Sequence, residues 1–216
     1  MGRLATDKRE RLVAAAVEQF HRRGYARTSI AQIAATAGMP AGNVFYFFKA
    51  KEDLARAVVD EWCRLLTGYL AALDPLPDYR QRVQGFIEQA RAISGMYVTL
   101  GCPLAGIARD LRQEGPALQA EAGRPHALQF TWLAGQFAAG GYPPSKATAH
   151  ARFLMAGYHG AILLAHAQSD PGLIDDEVAS LTAWLQALPE PAKAARTQSR
   201  RRPPALPTVR IARKTK

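Results

Sequence analysis

The chain has 216 residues and a net charge of +10, long enough to bury one or two cores. It is rich in Ala and Leu and has neither strict apolar–polar alternation nor an unbroken run of ~18 apolar residues. That sets aside a sheet protein and a membrane-spanning one, and the opening MGRLATDKRE lacks the apolar stretch of an export signal.

The charge is uneven. Residues 1–62 carry ten basic side chains against seven acidic, residues 63–188 nine against ten, and residues 189–216 nine against one. The two cysteines, Cys63 and Cys102, do not make a disulfide framework, so a reducing cytoplasm is the expected setting. The helical patterns described next make the expected fold class all-α.

Thr6 can cap a first helix that runs to about Arg23, with Leu12, Ala16 and Phe20 on one face. His21-Arg22-Arg23 suits the negative end of its dipole, and Gly24 ends it. Ser29 followed by Gln32 is a capping-box pattern that opens a second helix. Ile30, Ile33, Ala34 and Ala37 mark its buried face, and Gly38 stops it. Met39-Pro40 turns the chain, and Ala41-Gly42-Asn43 opens a third helix too short to hold a core alone. A short helix crossing another after a Gly-containing turn is the helix-turn-helix pattern, whose second helix enters a DNA major groove; spacing alone also fits an ordinary α-hairpin.

A long helix follows from about Lys51 to Leu73, with Leu54, Val58, Trp62, Leu65, Tyr69 and Leu73 as its apolar stripe. Asp74-Pro75-Leu76-Pro77 breaks it. Later helices are marked by Val83 to Ile93, ending near Gly95, and by Ala105 to Gln113. Helical signals resume at Pro116, pause at Gly123-Arg124-Pro125, and continue through Trp132 and Phe137 to Gly140-Gly141. Two more run from Ser145 to about Gln168 and from about Leu173 to Leu188. The expected organisation is a helix-turn-helix unit over 1–50, a helical unit over 51–188 and a basic, disordered tail over 189–216.

From Arg11 to Val58 the chain resembles the TetR family of bacterial transcriptional regulators. The resemblance rests on Ala15, Ala16, Phe20, Gly24, Thr28, Ser29, Ile33, Ala34, Ala37, Gly38, Gly42, Val44, Phe45, Phe48, Lys51 and Leu54 at fixed spacing. Phe45 stands where the family usually has tyrosine, so a phosphate-contacting hydroxyl is absent there, and Tyr46 can replace it. The second half is similar to a TetR subgroup through Gly101, Cys102, Pro103, Leu104, Ala108, Trp132, Gly141, Pro143, Ala151, Leu154, Gly160, Leu163, Leu164 and Ala165. It departs at Asp110, where glutamate is usual, and at Ala105, where a second glycine is usual. The resemblance implies a DNA-binding head, a joining helix whose tilt sets head spacing, and an effector pocket in a dimerising helical body.

Candidate residues follow. Thr28, Ser29 and the backbone N–H groups at that helix start can hold phosphate. Pro40, Ala41, Gly42, Asn43, Phe45 and Tyr46 belong to the expected reading helix, where Val44, Phe47 and Phe48 would pack inward. Asn43 is the best base reader because its amide can pair bidentately with adenine, and Ala41 can touch a thymine methyl. Lys49 and Lys51 suit phosphate. Tyr46 also fits a merely solvated aromatic.

For the implied effector pocket the candidates are Phe86, Met96, Tyr97, Cys102, Phe130, Trp132, Phe137, Met155, Tyr158 and His159, each of which also fits plain core. With no charge cluster in these helices, a planar, apolar or weakly polar effector is expected. Cys102, at a helix start beside Pro103, reads either as a thiol of lowered pKa that senses electrophiles or as a small buried residue at a turn. Leu154, Gly160, Ala161, Leu164, Leu181, Trp184 and Leu185 are the expected homodimer face.

No catalytic constellation, metal site or cofactor is expected. His159 and His166 lie seven apart on one face without a carboxylate or thiol at ligand spacing, and no phosphate-binding or nucleophile motif is present. The function expected is a cytoplasmic repressor, released from a palindromic operator in double-stranded DNA by a small effector. The alternative is an architectural DNA-coating protein without one.

The tail from Pro189 carries five prolines, which exclude a continuous helix, and mutually repelling clusters at Arg200-Arg201-Arg202 and at Arg210, Arg213, Lys214 and Lys216. Such an arm can reach flanking phosphates without reading bases. Truncation after Leu188 is therefore expected to weaken operator and random DNA by similar factors. It should flatten the salt slope by ~0.9 for every phosphate that the arm neutralises, measured by titration at several salt concentrations. An unchanged slope would leave the arm without a DNA role.

Overall fold

Proline and glycine punctuation, rather than any change in composition, divides the chain into its helices. The computed structural model describes residues 2–190, with side chains from Asp7 onward; the tail beyond Glu190, expected above to be disordered, lies outside the described residues. Eleven α-helices are present among them: α1 Gly2–Arg23, α2 Ile30–Thr36, α3 Val44–Phe47, α4 Lys51–Leu73, α5 Tyr79–Ala92, α6 Ser94–Leu100, α7 Pro103–Leu111, α8 Pro116–Ala122, α9 Arg124–Ala139, α10 Pro144–Gln168 and α11 Gly172–Ala187. A single 3₁₀ turn, Ala41–Asn43, leads into α3. No strand occurs among the described residues.

Most boundaries follow local chemistry. Prolines open α7, α8 and α10 at the first helical position, where their missing N–H costs nothing. Asp78 caps α5 by accepting the Gln81 N–H at 2.9 Å. Gly24, Gly38, Gly101 and Gly141 take positive φ at helix ends. Two expectations need correction. The first helix begins at Gly2 and runs straight through Thr6, so Thr6 is not its cap. The segment after Ile93 does not end in a loop near Gly95: Ser94–Leu100 forms a separate short helix.

Two apolar cores result. The first joins Leu12, Ala16 and Phe20 of α1, Ile33 and Ala34 of α2, Val44 of α3 and Leu54–Val59 of α4. It also takes Ile107 and Leu111 of α7 and Leu118 and Ala122 of α8. The second joins α5, α9, α10 and α11 through Val83, Phe86, Leu133, Phe137, Leu154, Ile162, Val178 and Leu181. The long α4 contributes to both, because Leu70 belongs to the second. No helix among the described residues is long and apolar enough to cross a membrane.

Candidate functional site

The α2–α3 unit is built from its ends inward. Ser29 stands in extended backbone and its Oγ accepts the Gln32 N–H at 3.2 Å, while Gln32 Oε1 accepts the Ser29 N–H at 2.8 Å. Each side chain covers a donor that the first turn cannot satisfy. At the other end the Met39 N–H reaches the Ala34 carbonyl at 2.9 Å and the Gly38 N–H reaches that of Ala35 at 3.0 Å. This pairing is a Schellman stop and requires the left-handed Gly38, at φ +64°. Arg11 of α1 donates to the Ala37 carbonyl at 2.6 Å and fixes the turn from outside.

After Pro40 the chain makes its 3₁₀ turn and then α3. Val44 and Phe48 are buried in the first core and Phe47 is half-buried. Pro40, Ala41, Gly42, Asn43, Phe45 and Lys49 are exposed, as is Tyr46 at 76%. Seven candidates are thus exposed around the short helix. Lys49 Nζ donates to the Phe45 carbonyl at 3.1 Å, capping the short helix. Lys51 is half-buried, with Nζ 4.2 Å from the centre of the Tyr25 ring, and burial draws its pKa down.

Thr28 is a correction. It is 2% exposed and its hydroxyl donates to the Gly24 carbonyl at 2.8 Å, so it holds the α1–α2 corner together and cannot offer that proton to a phosphate. The residue type at a helix start does not reveal which neighbouring carbonyl will claim the hydroxyl.

In the helical body, a cavity of about 150 Å³ lies where α4, α5, α6, α7, α9 and α10 meet. It is the volume that holds one benzene-sized ring. Of the predicted lining residues, Phe86, Met96, Tyr97 and Tyr158 are present. Trp62, Leu65, Leu66 and Tyr69 of α4, Pro103 and Leu104 of α7, and Gln89 and Gln129 complete much of the wall. Trp62 and Tyr69 lie seven apart on the stripe already read from α4, a signal indistinguishable from core packing. No charged side chain among the described residues lines this cavity. Tyr69 Oη donates to the Gly85 carbonyl at 2.9 Å, and burial pushes the Tyr97 hydroxyl up to about 12, so both phenols are neutral.

The other predicted lining residues lie elsewhere. Phe137 is fully buried in an aromatic cluster with Tyr79, Tyr142, His150 and Trp184. Phe130 and Met155 pack on the second core. Trp132 stacks on Phe86 with centroids 6.1 Å apart but faces a shallow hollow beside Leu70 and Leu128. Cys102 and His159 line a separate, open groove of about 840 Å³ between the end of α1 and the body. Cys102 caps α7, yet burial pushes its thiol up rather than down: desolvation exceeds the pull of the neighbouring backbone N–H groups. Desolvation favours the second of the two readings of Cys102, a small residue buried at a turn.

The expected dimer face also divides. Leu154, Leu181 and Leu185 are buried in the protomer's own core at 2% exposure or less, and Ala161 is buried with them. The exposed stripe of α10 is Ala149, Phe153, Ala156, Leu163, Leu164 and Ala167, with Gly160 half-buried beside it, so that of the expected face Leu164 is exposed and Gly160 partly so. Leu163 is 67% exposed, and Trp184 of α11 rests on Phe153 at 4.7 Å. A helix apolar on every side does not declare which stripe is inner.

Comparison with known proteins agrees with the fold. Residues 12–58 match the family described as bacterial regulatory proteins, tetR family, and residues 80–177 match the description transcriptional regulator LmrA/YxaF-like, C-terminal domain. The HTH-type transcriptional regulator TtgR of Pseudomonas putida is 38% identical over 56 residues, 26% of this chain and 27% of that protein. RutR of Escherichia coli, also an HTH-type transcriptional regulator, is 28% identical over 112 residues, 47% of this chain and 53% of that protein. The chain thus spans about a quarter to a half of these curated relatives. A TetR transcriptional regulator from Chloroflexus aurantiacus superposes with TM-score 0.78 at 23% identity, over 88% of this chain and 100% of that one. A second, from Legionella pneumophila, gives 0.72 at 21%, over 81% and 95%. These two establish likeness of fold.

His159 makes the body sensitive to pH. Its Nε2 lies 3.3 Å from Gln129 Oε1, its Nδ1 is buried without a partner among the described residues, and burial brings its pKa down from 6.5 to about 4, with His126 adding to the effect. The unfolded chain therefore takes the proton first. Stability is full above pH 6.5 and falls as the pH drops towards 4, by at most roughly 3 kcal/mol from this residue. Thermal unfolding followed from pH 7.5 to 4 should show that loss, and His159→Gln should reduce its slope.

Proposed function

Because the chain belongs to the TetR family of bacterial transcriptional regulators, we propose that it works as a cytoplasmic, homodimeric repressor that leaves a palindromic operator when a small molecule enters its body. The observation that carries the reading is the α2–α3 unit. Val44 and Phe48 anchor a short helix whose other side, Pro40 to Asn43 with Phe45, Tyr46 and Lys49, is bare. Asn43 reads base edges from its N-terminal turn, and Ser29, Lys49 and the free N–H groups of α2 meet phosphates.

The dimer forms across the bare stripe of α10, with Ala179 and Ala183 of α11 beside it. Small residues at Ala156 and Gly160 let two helices approach while Phe153 and Leu163 bury their surface. The 150 Å³ cavity takes a neutral, ring-bearing effector, because a charged one would find no partner on its wall. Release is linkage. α4 passes from the first core at Leu54–Val59 to the cavity wall at Trp62–Tyr69, so a ligand that fits better with α4 tilted shifts the dimer away from operator spacing. The shift is limited by the ligand's preference between the two states.

Selection from random DNA should return a two-fold site with half-site centres ~34–36 Å apart. Asn43→Ala should relax preference at one position per half-site, at about 1–3 kcal/mol. A selected site without a dyad would count against the reading. Gly160 has open space where a Cβ would stand. Gly160→Arg should therefore fold as a protomer, sediment as a monomer and lose operator binding; a dimer in sedimentation would place the interface elsewhere.

A further inference from the structure

Helix α7 belongs to both parts of the molecule. Its first turn lines the cavity with Pro103 and Leu104, while Ile107 and Leu111 are buried in the first core. From its last turn Asp110 reaches the end of α1, where Oδ2 accepts the Tyr25 N–H at 2.7 Å. Arg109 holds the other oxygen, Oδ1, at 2.9 Å.

The end of α1 is built to receive that carboxylate. Gly24 N–H returns to the Phe20 carbonyl at 2.9 Å, a single-bond stop that leaves the Tyr25 N–H without an acceptor in its own helix. Gly24 sits at φ +82°, and a Cβ there would lie 2.9 Å from Asp110 Oδ2. Only glycine leaves the carboxylate room.

The same peptide plane is gripped from its other side. The Gly24 carbonyl accepts the Thr28 hydroxyl at 2.8 Å, and Thr28 directly precedes Ser29, the cap of α2. Tyr25 itself is buried, edge-on to Phe20 at 5.3 Å and beneath Lys51. At the opposite end of α7, His21 Nε2 meets the Gly101 carbonyl at 3.0 Å.

We propose that Asp110 is a positioning residue that passes movement of the cavity wall to the start of α2, through the Gly24–Tyr25 peptide and Thr28, alongside the route through α4. The assignment rests on the cavity being the effector site. A shift of α7 at Leu104 carries Asp110 with it, because a helix moves as one rigid element. The Gly24–Tyr25 plane then turns, and Thr28 turns the first residues of α2.

The test replaces the unknown effector by a side chain. Met96 lines the cavity from α6, and Met96→Trp, with Met96→Phe as a milder filling, occupies it from within. Amide hydrogen exchange of the full chain over residues 24–32 is measured with Asp110, Asp110→Asn and Asp110→Ala. Asparagine keeps an oxygen that can accept the Tyr25 N–H, and alanine does not. Filling is expected to change exchange over 24–32 by about fivefold or more with Asp or Asn at 110, and by no more than about twofold with Ala. Buried amides of α11, which does not line the cavity, should be unaffected, which separates a relay from general loosening. Thr28→Val, nearly isosteric, cuts the route beyond the peptide and should silence the response over 28–32 while residues 24–25 still respond, covering the case in which Asp110→Ala is poorly folded. No change on filling with Asp110 in place, or an equal change with Ala, overturns the proposal. Operator binding measured in parallel tests the reading beneath it. If exchange follows Asp110 while Met96→Trp binds operator as wild type does, the relay stands and the effector role of the cavity fails.

Discussion

A helix of one or two turns cannot hold itself in water, and α3 is of that size. Its geometry is therefore borrowed. Val44 and Phe48 sink into the first core, the Schellman stop at Gly38 sets the entry angle, and Arg11 braces the Ala37 carbonyl from α1. Only because these contacts fix the backbone can the opposite side stay free of packing duties and present Asn43 and Tyr46 outward. The same constraint explains the withdrawal of Thr28: its hydroxyl stabilises the α1–α2 corner more than it would gain from solvent.

The two cores are not independent. α4 and α7 each place side chains in the first core and on the cavity wall, so neither can move within the body without straining the head. Close-packed cores transmit such displacements instead of absorbing them. Two helices join the cavity wall to the packing beneath the exposed α2–α3 surface, through the contacts at their far ends: Leu54–Val59 on one, Asp110 against Tyr25 on the other.

In the body, α10 carries two kinds of apolar surface. Leu154, Tyr158, Ile162 and Ala165 complete the second core, and Phe153, Leu163 and Leu164 lie on the outside. Exposed large apolar groups in a row are costly to leave wet, which is the ground for the dimer proposed above. The groove between α1 and the body differs from the cavity in kind, because arginines and histidines line it while aromatic rings line the cavity.

Much was legible from residue order alone. The capping box at Ser29, the stop at Gly38, the inward turn of Val44 and Phe48, the span of α4 and the start of α8 at Pro116 are all local, set by interactions within a few residues. The all-α class followed from periodicity; the helix-turn-helix needed the family resemblance as well, because spacing alone also fits an α-hairpin. What stayed hidden depends on residues far apart in sequence. Thr28 could be placed only once the Gly24 carbonyl was known to sit above it, and the rise in the Cys102 thiol only once its burial was known. Leu154 and Leu163 look alike in a helix apolar all round, and only the neighbours decide which is core. Asp110 is the clearest case: its partner lies eighty-five residues away, and a lone carboxylate on an amphipathic helix gives no sign of the peptide it will hold. Sequence determined what each segment could become, because propensity and capping act locally; tertiary packing decided which surface each segment shows, because burial is a property of the whole chain.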